Sequence, residues 1–265
     1  MTLLPSSWNT PITLPTLAPA SLHVWRVRLD QDDYAPYLAL LAPDEHQRAQ
    51  RYLVAHARQQ FVVVRVVLRV LLAAYLQRAP DALRFAYAPN GKPTLEVAEV
   101  AGADDPDGRH CLHFNVAHSH EWGLLAFSRA APVGVDVEQL RAEVATSELA
   151  RRYFAPSEAA ALHALPPAQQ HAAFFAYWTH KEACLKAIGG TLAHGLQQFT
   201  FATRDDATLH LHHTPADQPP PAAWTVAALP LGTGYAAAVA SPLPNLEIQG
   251  YNVISLPYVA TLFGV

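Results

Sequence analysis

One order of signals is written twice along this chain: a strand, then helix, then a group of short strands. Residues 22–28 (Leu-His-Val-Trp-Arg-Val-Arg) alternate apolar and polar positions, the period of a strand with one wet face. From Pro43 to Gln77 the pattern is that of a long helix, with Asp44 and Glu45 complementing the dipole in its first turn. Pro80 and Asp81 mark its end, and short strands are expected at 83–88, 112–117 and 122–127. Pro89-Asn90-Gly91 reads as a turn between them, and the Gly- and Asp-rich segment 101–110 as a surface loop. Pro132 opens the second block: a strand at 133–138, helices near 146–153, 157–165 and 167–188, and a stop at Gly189-Gly190. Strands then fit 197–203, 208–213, 223–229 and 235–240. The expectation is an α+β fold of two similar halves meeting near residue 130. That divides the chain into a proline-rich arm (1–20), an N-terminal half (21–131) and a C-terminal half with a short tail (132–265). No repeat of the residues themselves is obvious.

Composition narrows the function classes. A chain of 265 residues has room for one or two domains and buries enough surface to fold without disulfides or metal. With 51% hydrophobic and 15% charged residues it is neither disordered nor strongly polar. The net charge of −4 gives no footprint for a nucleic acid partner. Cys111 and Cys184 cannot make a disulfide framework, so a reducing, cytoplasmic setting is expected. Residues 1–20 carry four prolines and no charge, unlike a signal peptide, and apolar runs of a few residues lead to no expectation of a membrane span.

Four constellations carry chemistry. In Gly134-Val135-Asp136-Val137-Glu138, strand geometry puts the two carboxylates on one face, where Mg²⁺ would relieve their repulsion; the plain alternative is a solvated strand face. In the aromatic helix around Trp178-Thr179-His180-Lys181-Glu182, Glu182 and Lys186 share a face. They read either as an ordinary ion pair or as a metal-ligating carboxylate beside a phosphate-binding ammonium. Lysine is scarce here, at Lys92, Lys181 and Lys186 against fifteen arginines, so each marks a place where a compact ammonium could serve better than a guanidinium. His118 and His120 end an apolar strand; a zinc-dependent hydrolase is a rival reading, weak without a third ligand. Finally, Arg51, Arg58, Arg65 and Arg69 fall on one face of the expected long helix, either a solvated face or, with Lys92 nearby, a phosphate site.

The order Gly91-Lys92-Pro93, Phe114-Asn115-Val116-Ala117-His118-Ser119, Val133 to Glu138 and Trp178 to Gly189 resembles the 4′-phosphopantetheinyl transferases of the Sfp type, over roughly residues 40–240. Arg152-Tyr153-Phe154 and Glu158 look like the family's intervening stretch. The resemblance implies a monomer of two halves related by a pseudo-twofold, with the active site in the cleft between them. It implies transfer of the phosphopantetheine arm of coenzyme A to a serine of an apo acyl- or peptidyl-carrier protein. Asp136, Glu138 and Glu182 fall on the Mg²⁺-binding positions, with Asp136, Glu182 and Lys186 catalytic and Lys186 on the diphosphate. Arg58, Lys92, His118 and Ser119 fall among the coenzyme A contacts. Ala117, where relatives often have serine, and Thr191, where glycine is common, depart from the pattern. A carrier-binding module without turnover is the other rival, and the intact acidic set and Lys186 speak against it.

Overall fold

In the first half of the chain lie β1 (Trp8–Asn9), β2 (Ser21–Arg28), α1 (Pro43–Gln50), α2 (Ala55–Leu76), β3 (Phe85–Tyr87), β4 (Pro93–Leu95), β5 (His113–Ser119) and β6 (Trp122–Ser128). The second holds β7 (Gly134–Gln139), α3 (Thr146–Tyr153), α4 (Pro156–Ala164), α5 (Pro167–Ala187), β8 (Thr200–Thr203) and β9 (Leu209–His213). It continues with β10 (Thr225–Ala228), β11 (Tyr235–Ser241), β12 (Glu247–Val253) and α6 (Leu256–Phe263). This computed structural model describes residues 8–30, 33–87, 93–96, 112–191, 195–204 and 206–263.

Strand alternation sorts the core into three layers. Leu22 and Val24 of β2, Leu124 and Ala126 of β6, and Val135 and Val137 of β7 meet with Ala237 and Val239 of β11 in a core between the two sheets. On its outer side the first sheet sends Trp25, Val27, Leu125 and Phe127 against α2, whose buried run extends from Phe61 to Ala73. The outer side of the second sheet presents the small residues Ala238 and Ala240 to α5. By length and composition α2 could cross a bilayer, but most of it is buried inside this fold.

The duplication expected from the order of signals is present in the topology. Strands β2, β6 and β5 lie side by side and antiparallel, the first strand beside the last and the last beside the penultimate. β7, β11 and β10 repeat that arrangement. In each half a long helix and a small hairpin, β3–β4 or β8–β9, intervene.

A buried ion pair is duplicated too, and it rests on a short residue repeat that the sequence reading missed. Ala42-Pro43-Asp44-Glu45 and Ala155-Pro156-Ser157-Glu158 open α1 and α4. Each glutamate, at the third helical position, accepts the N–H of its alanine N-cap at 2.8 Å. Each also pairs with a cation on the long helix: Glu45 with Arg69 at 2.5 Å and Glu158 with Lys181 at 2.7 Å. Those cations then reach the chain beyond their helix. Arg69 donates to the Pro80 and Leu83 carbonyls, Lys181 to those of Leu196 and Phe199. Lys181 therefore spends its three donors inside the fold, and its compact ammonium serves structure rather than catalysis.

Three expectations are corrected. The helix from Pro43 to Gln77 is broken at residues 51–54, where Val54 is extended and the Arg58 guanidinium donates to the Tyr52 carbonyl at 3.0 Å. Packing of Tyr52 against Phe61, with ring centroids 5.4 Å apart, holds the break. The arginine stripe dissolves with it. Arg51 is exposed at the break, while Arg65 and Arg69 are buried and share Glu45. The tail does not belong with the C-terminal half, since β12 pairs parallel with β2 and α6 packs on α2. From Trp8 onward the arm is tied to the same sheet: Trp8 pairs with Gly250 of β12, and the Arg26 guanidinium lies 4.7 and 5.1 Å from the rings of Trp8 and Trp122. Lys92, Cys111, the Pro89-Asn90-Gly91 turn and the 101–110 loop lie outside the described residues.

Candidate active site

With Val135 and Val137 committed to the inter-sheet core, Gly134, Asp136 and Glu138 must face the other way, onto α5. Gly134 sets how close the helix comes. A Cβ there would stand 2.0 Å from the Ala183 carbonyl oxygen and 2.4 Å from the Ala187 nitrogen, so only glycine fits. One strand position further along the same face, Asp136 Oδ1 accepts a hydrogen bond from Lys186 Nζ at 2.6 Å. Glu182, one helical turn before Lys186 and half-buried, lies near enough to feel both Asp136 and Glu138.

The electrostatics are those of crowded carboxylates. Burial raises the Asp136 pKa, with Lys186 opposing. Burial followed by repulsion from Asp136 raises Glu138, and the same two causes push Glu182 up to about 7. Burial pulls the Lys186 ammonium down, but Asp136, Glu182 and Glu138 outweigh it and the net shift is upward. One buried oxygen of the group, Asp136 Oδ2, has no hydrogen-bond partner. Such an atom normally finds a partner or a cation. An all-oxygen donor set with an unsatisfied carboxylate oxygen suits a hard divalent ion such as Mg²⁺. Among the described residues no three His, Cys, Asp or Glu side chains converge tightly enough to form a ready-made metal centre, histidine-based or acidic. The three carboxylates interact across the β7–α5 gap without closing on one point.

The first sheet contributes through β5. Asn115 Oδ1 accepts the Val135 N–H at 2.9 Å. Ser119 Oγ accepts the Gln139 N–H at 3.1 Å and donates to Glu138 Oε2 at 3.0 Å. His118 stands exposed between them on the strand; partial desolvation and the Lys186 ammonium hold its imidazole below the ordinary range. His120 has a positive φ of 51° in the β5–β6 turn and so leaves the strand face it would otherwise share with His118. Arg58 is half-buried on α2; its Nε is without a partner although one terminal nitrogen caps Tyr52.

The structure thus brings together Asp136, Glu138, Glu182, Lys186, His118 and Ser119. Sequence reasoning missed the work of Gly134 and Asn115. The glycine's signal was its place on the carboxylate face; nothing local marked the asparagine.

The molecule is thus a duplicated α+β fold with an acidic strand face and a lysine-bearing helix packed on it. Residues 132–240 match the 4′-phosphopantetheinyl transferase superfamily, and residues 25–130 match the N-terminal region of 4′-phosphopantetheinyl transferases. The 4′-phosphopantetheinyl transferase HetI of Nostoc sp. strain PCC 7120 is 35% identical over 203 residues, 76% of this chain and 82% of that one. The 4′-phosphopantetheinyl transferase Sfp of Bacillus subtilis strain 168 is 25% identical over 183 residues, 69% of this chain and 75% of its own. This chain belongs to the 4′-phosphopantetheinyl transferase family.

Proposed function

We propose that this protein moves the 4′-phosphopantetheine arm of coenzyme A onto a serine hydroxyl of an apo acyl- or peptidyl-carrier protein, releasing 3′,5′-bisphosphoadenosine, with the β7–α5 cluster as its catalytic centre. The observation that carries the reading is Asp136: a buried carboxylate, bonded to Lys186 through one oxygen and unsatisfied at the other, beside two further carboxylates.

Asp136, Glu138 and Glu182 would hold Mg²⁺. When bound, the ion neutralises negative charge on the diphosphate of coenzyme A. Lys186 donates to Asp136, which anchors the ammonium at the cluster, where its charge meets a non-bridging phosphate oxygen. Charge on that oxygen grows as the diphosphate bond breaks, so a fixed ammonium acts most strongly there. Glu182, beside both the cation and the nucleophile, takes the proton from the attacking serine or orients a water that does. Arg58, Lys92 and His118 are assigned to the nucleotide end.

Intact-mass spectrometry of apo-carrier proteins incubated with the enzyme, coenzyme A and Mg²⁺ tests the reading. The expected result is a gain of one phosphopantetheine arm on at least one carrier class. Unchanged masses for fatty-acid, polyketide and peptide carriers alike would overturn it.

A further inference from the structure

The seam between the two halves has an unusual construction. Strands β5 and β7 run side by side, yet they belong to different sheets and share no backbone ladder. Two side chains of β5 take the ladder's place, Asn115 on the Val135 N–H and Ser119 on the Gln139 N–H. The bridges are in step along the two strands, so they fix one register. They do not do the same job. Asn115 only accepts at Val135, whereas the Ser119 hydroxyl also has a proton to place. With one lone pair held by Gln139, that proton points to Glu138 Oε2 at 3.0 Å.

We infer that Ser119 is a positioning residue that aims the Glu138 carboxylate at the cation site, and that it is not a contact to coenzyme A. A hydroxyl owns a single donor, and this one is spent on Glu138, leaving none for a phosphate oxygen. Without it, repulsion from Asp136 would turn the half-buried Glu138 away from the cluster. Partners that orient metal-ligating side chains typically change metal affinity by about 10–100-fold when removed. The inference rests on the carboxylate cluster being a divalent-cation site, as proposed above.

The test uses Mn²⁺ as a spectroscopic stand-in for Mg²⁺. Free Mn²⁺ is titrated by electron paramagnetic resonance in the presence of coenzyme A, on the wild-type protein and on Ser119→Ala, Ser119→Cys and Ser119→Thr. The KM for coenzyme A is measured alongside at saturating Mg²⁺. Ser119→Ala and Ser119→Cys are expected to bind Mn²⁺ about 10-fold more weakly, with the KM for coenzyme A within twofold of wild type. Ser119→Thr, which keeps the hydroxyl, is expected to restore Mn²⁺ affinity. A rise in KM with Mn²⁺ affinity unchanged would make Ser119 a coenzyme A contact and overturn the inference. Unchanged values for both would overturn it as well, while leaving the cation site standing. Wild-type protein that binds no Mn²⁺ would instead remove the cation site, and the inference with it.

Discussion

Glu182 sits where its own charge is unwelcome: burial and the neighbouring Asp136 carboxylate lift its pKa to about 7. Replacing it with glutamine relieves that repulsion while deleting the proposed cation ligand and base. Glu182→Gln is therefore expected to lower turnover by at least about 100-fold and to leave the thermal midpoint unchanged or higher. Near-normal turnover at saturating Mg²⁺ would remove Glu182 from the chemistry. Lys186 makes the complementary case. Its ammonium meets Asp136 at 2.6 Å between a strand and a helix held close by Gly134, and a guanidinium is wider and longer in reach. For Lys186→Arg, steady-state kinetics should show kcat falling at least ~10-fold, about 1.4 kcal/mol of barrier, with KM little changed. Retained kcat would return this lysine to an ordinary helical ion pair with Glu182. These residues were legible in the sequence because strand and helix periods alone place Asp136 with Glu138, and Glu182 with Lys186. The structural role of Lys181 was not legible: scarcity singled the residue out, but its partners Glu158, Leu196 and Phe199 are distant in the chain.

At the scale of elements, the contact between β7 and α5 depends on one absent methyl group. Gly134→Ala would place a carbon 2.0 Å from the Ala183 carbonyl oxygen, and backbone on both sides cannot yield as a flexible side chain could. Urea unfolding should show a loss of at least about 3 kcal/mol, the upper end of overpacking costs. A variant as stable as wild type would mean that α5 can move off the strand freely. Most strands and the helices of the second half could be read from periodicity, as in Thr146–Tyr153 and Pro167–Ala187. The break after Gln50 could not, because it is made by side chains of the following helix folding back on it, Arg58 on the Tyr52 carbonyl and Phe61 on Tyr52, which no apolar period reveals. Nor could β12, where Gly250 and Asn252 interrupt the alternation and whose partner β2 lies more than two hundred residues earlier. The Ala-Pro-x-Glu repeat was visible in principle, but four residues gain meaning only when Glu45 and Glu158 are seen beneath equivalent helices.

Across the whole molecule, the chain's two ends are stitched to one sheet, with β12 beside β2 and Trp8 beside β12. Beneath that sheet, burial keeps His23 neutral with a pKa of about 4, against 6.5 when unfolded. The unfolded state therefore binds more protons between these values, so the stability from this group is complete above pH 6.5 and drains as pH falls toward 4. The raised carboxyls of the β7–α5 cluster work in the opposite direction, so the histidine must be isolated by substitution. His23→Gln should remove about 2 kcal/mol of the stability difference between pH 7 and pH 5; an unaltered difference in urea unfolding would mean that His23 is not buried neutral. The central claim, that the β7–α5 cluster of the second half performs the transfer, is tested most directly at Asp136. Asparagine keeps its shape and a hydrogen bond to Lys186 while removing the charge. Single-turnover transfer from coenzyme A to an apo-carrier protein, followed by intact mass, should slow by at least about 1,000-fold in Asp136→Asn with the unfolding midpoint preserved. Transfer within 10-fold of wild type would contradict the account and place the catalytic centre elsewhere.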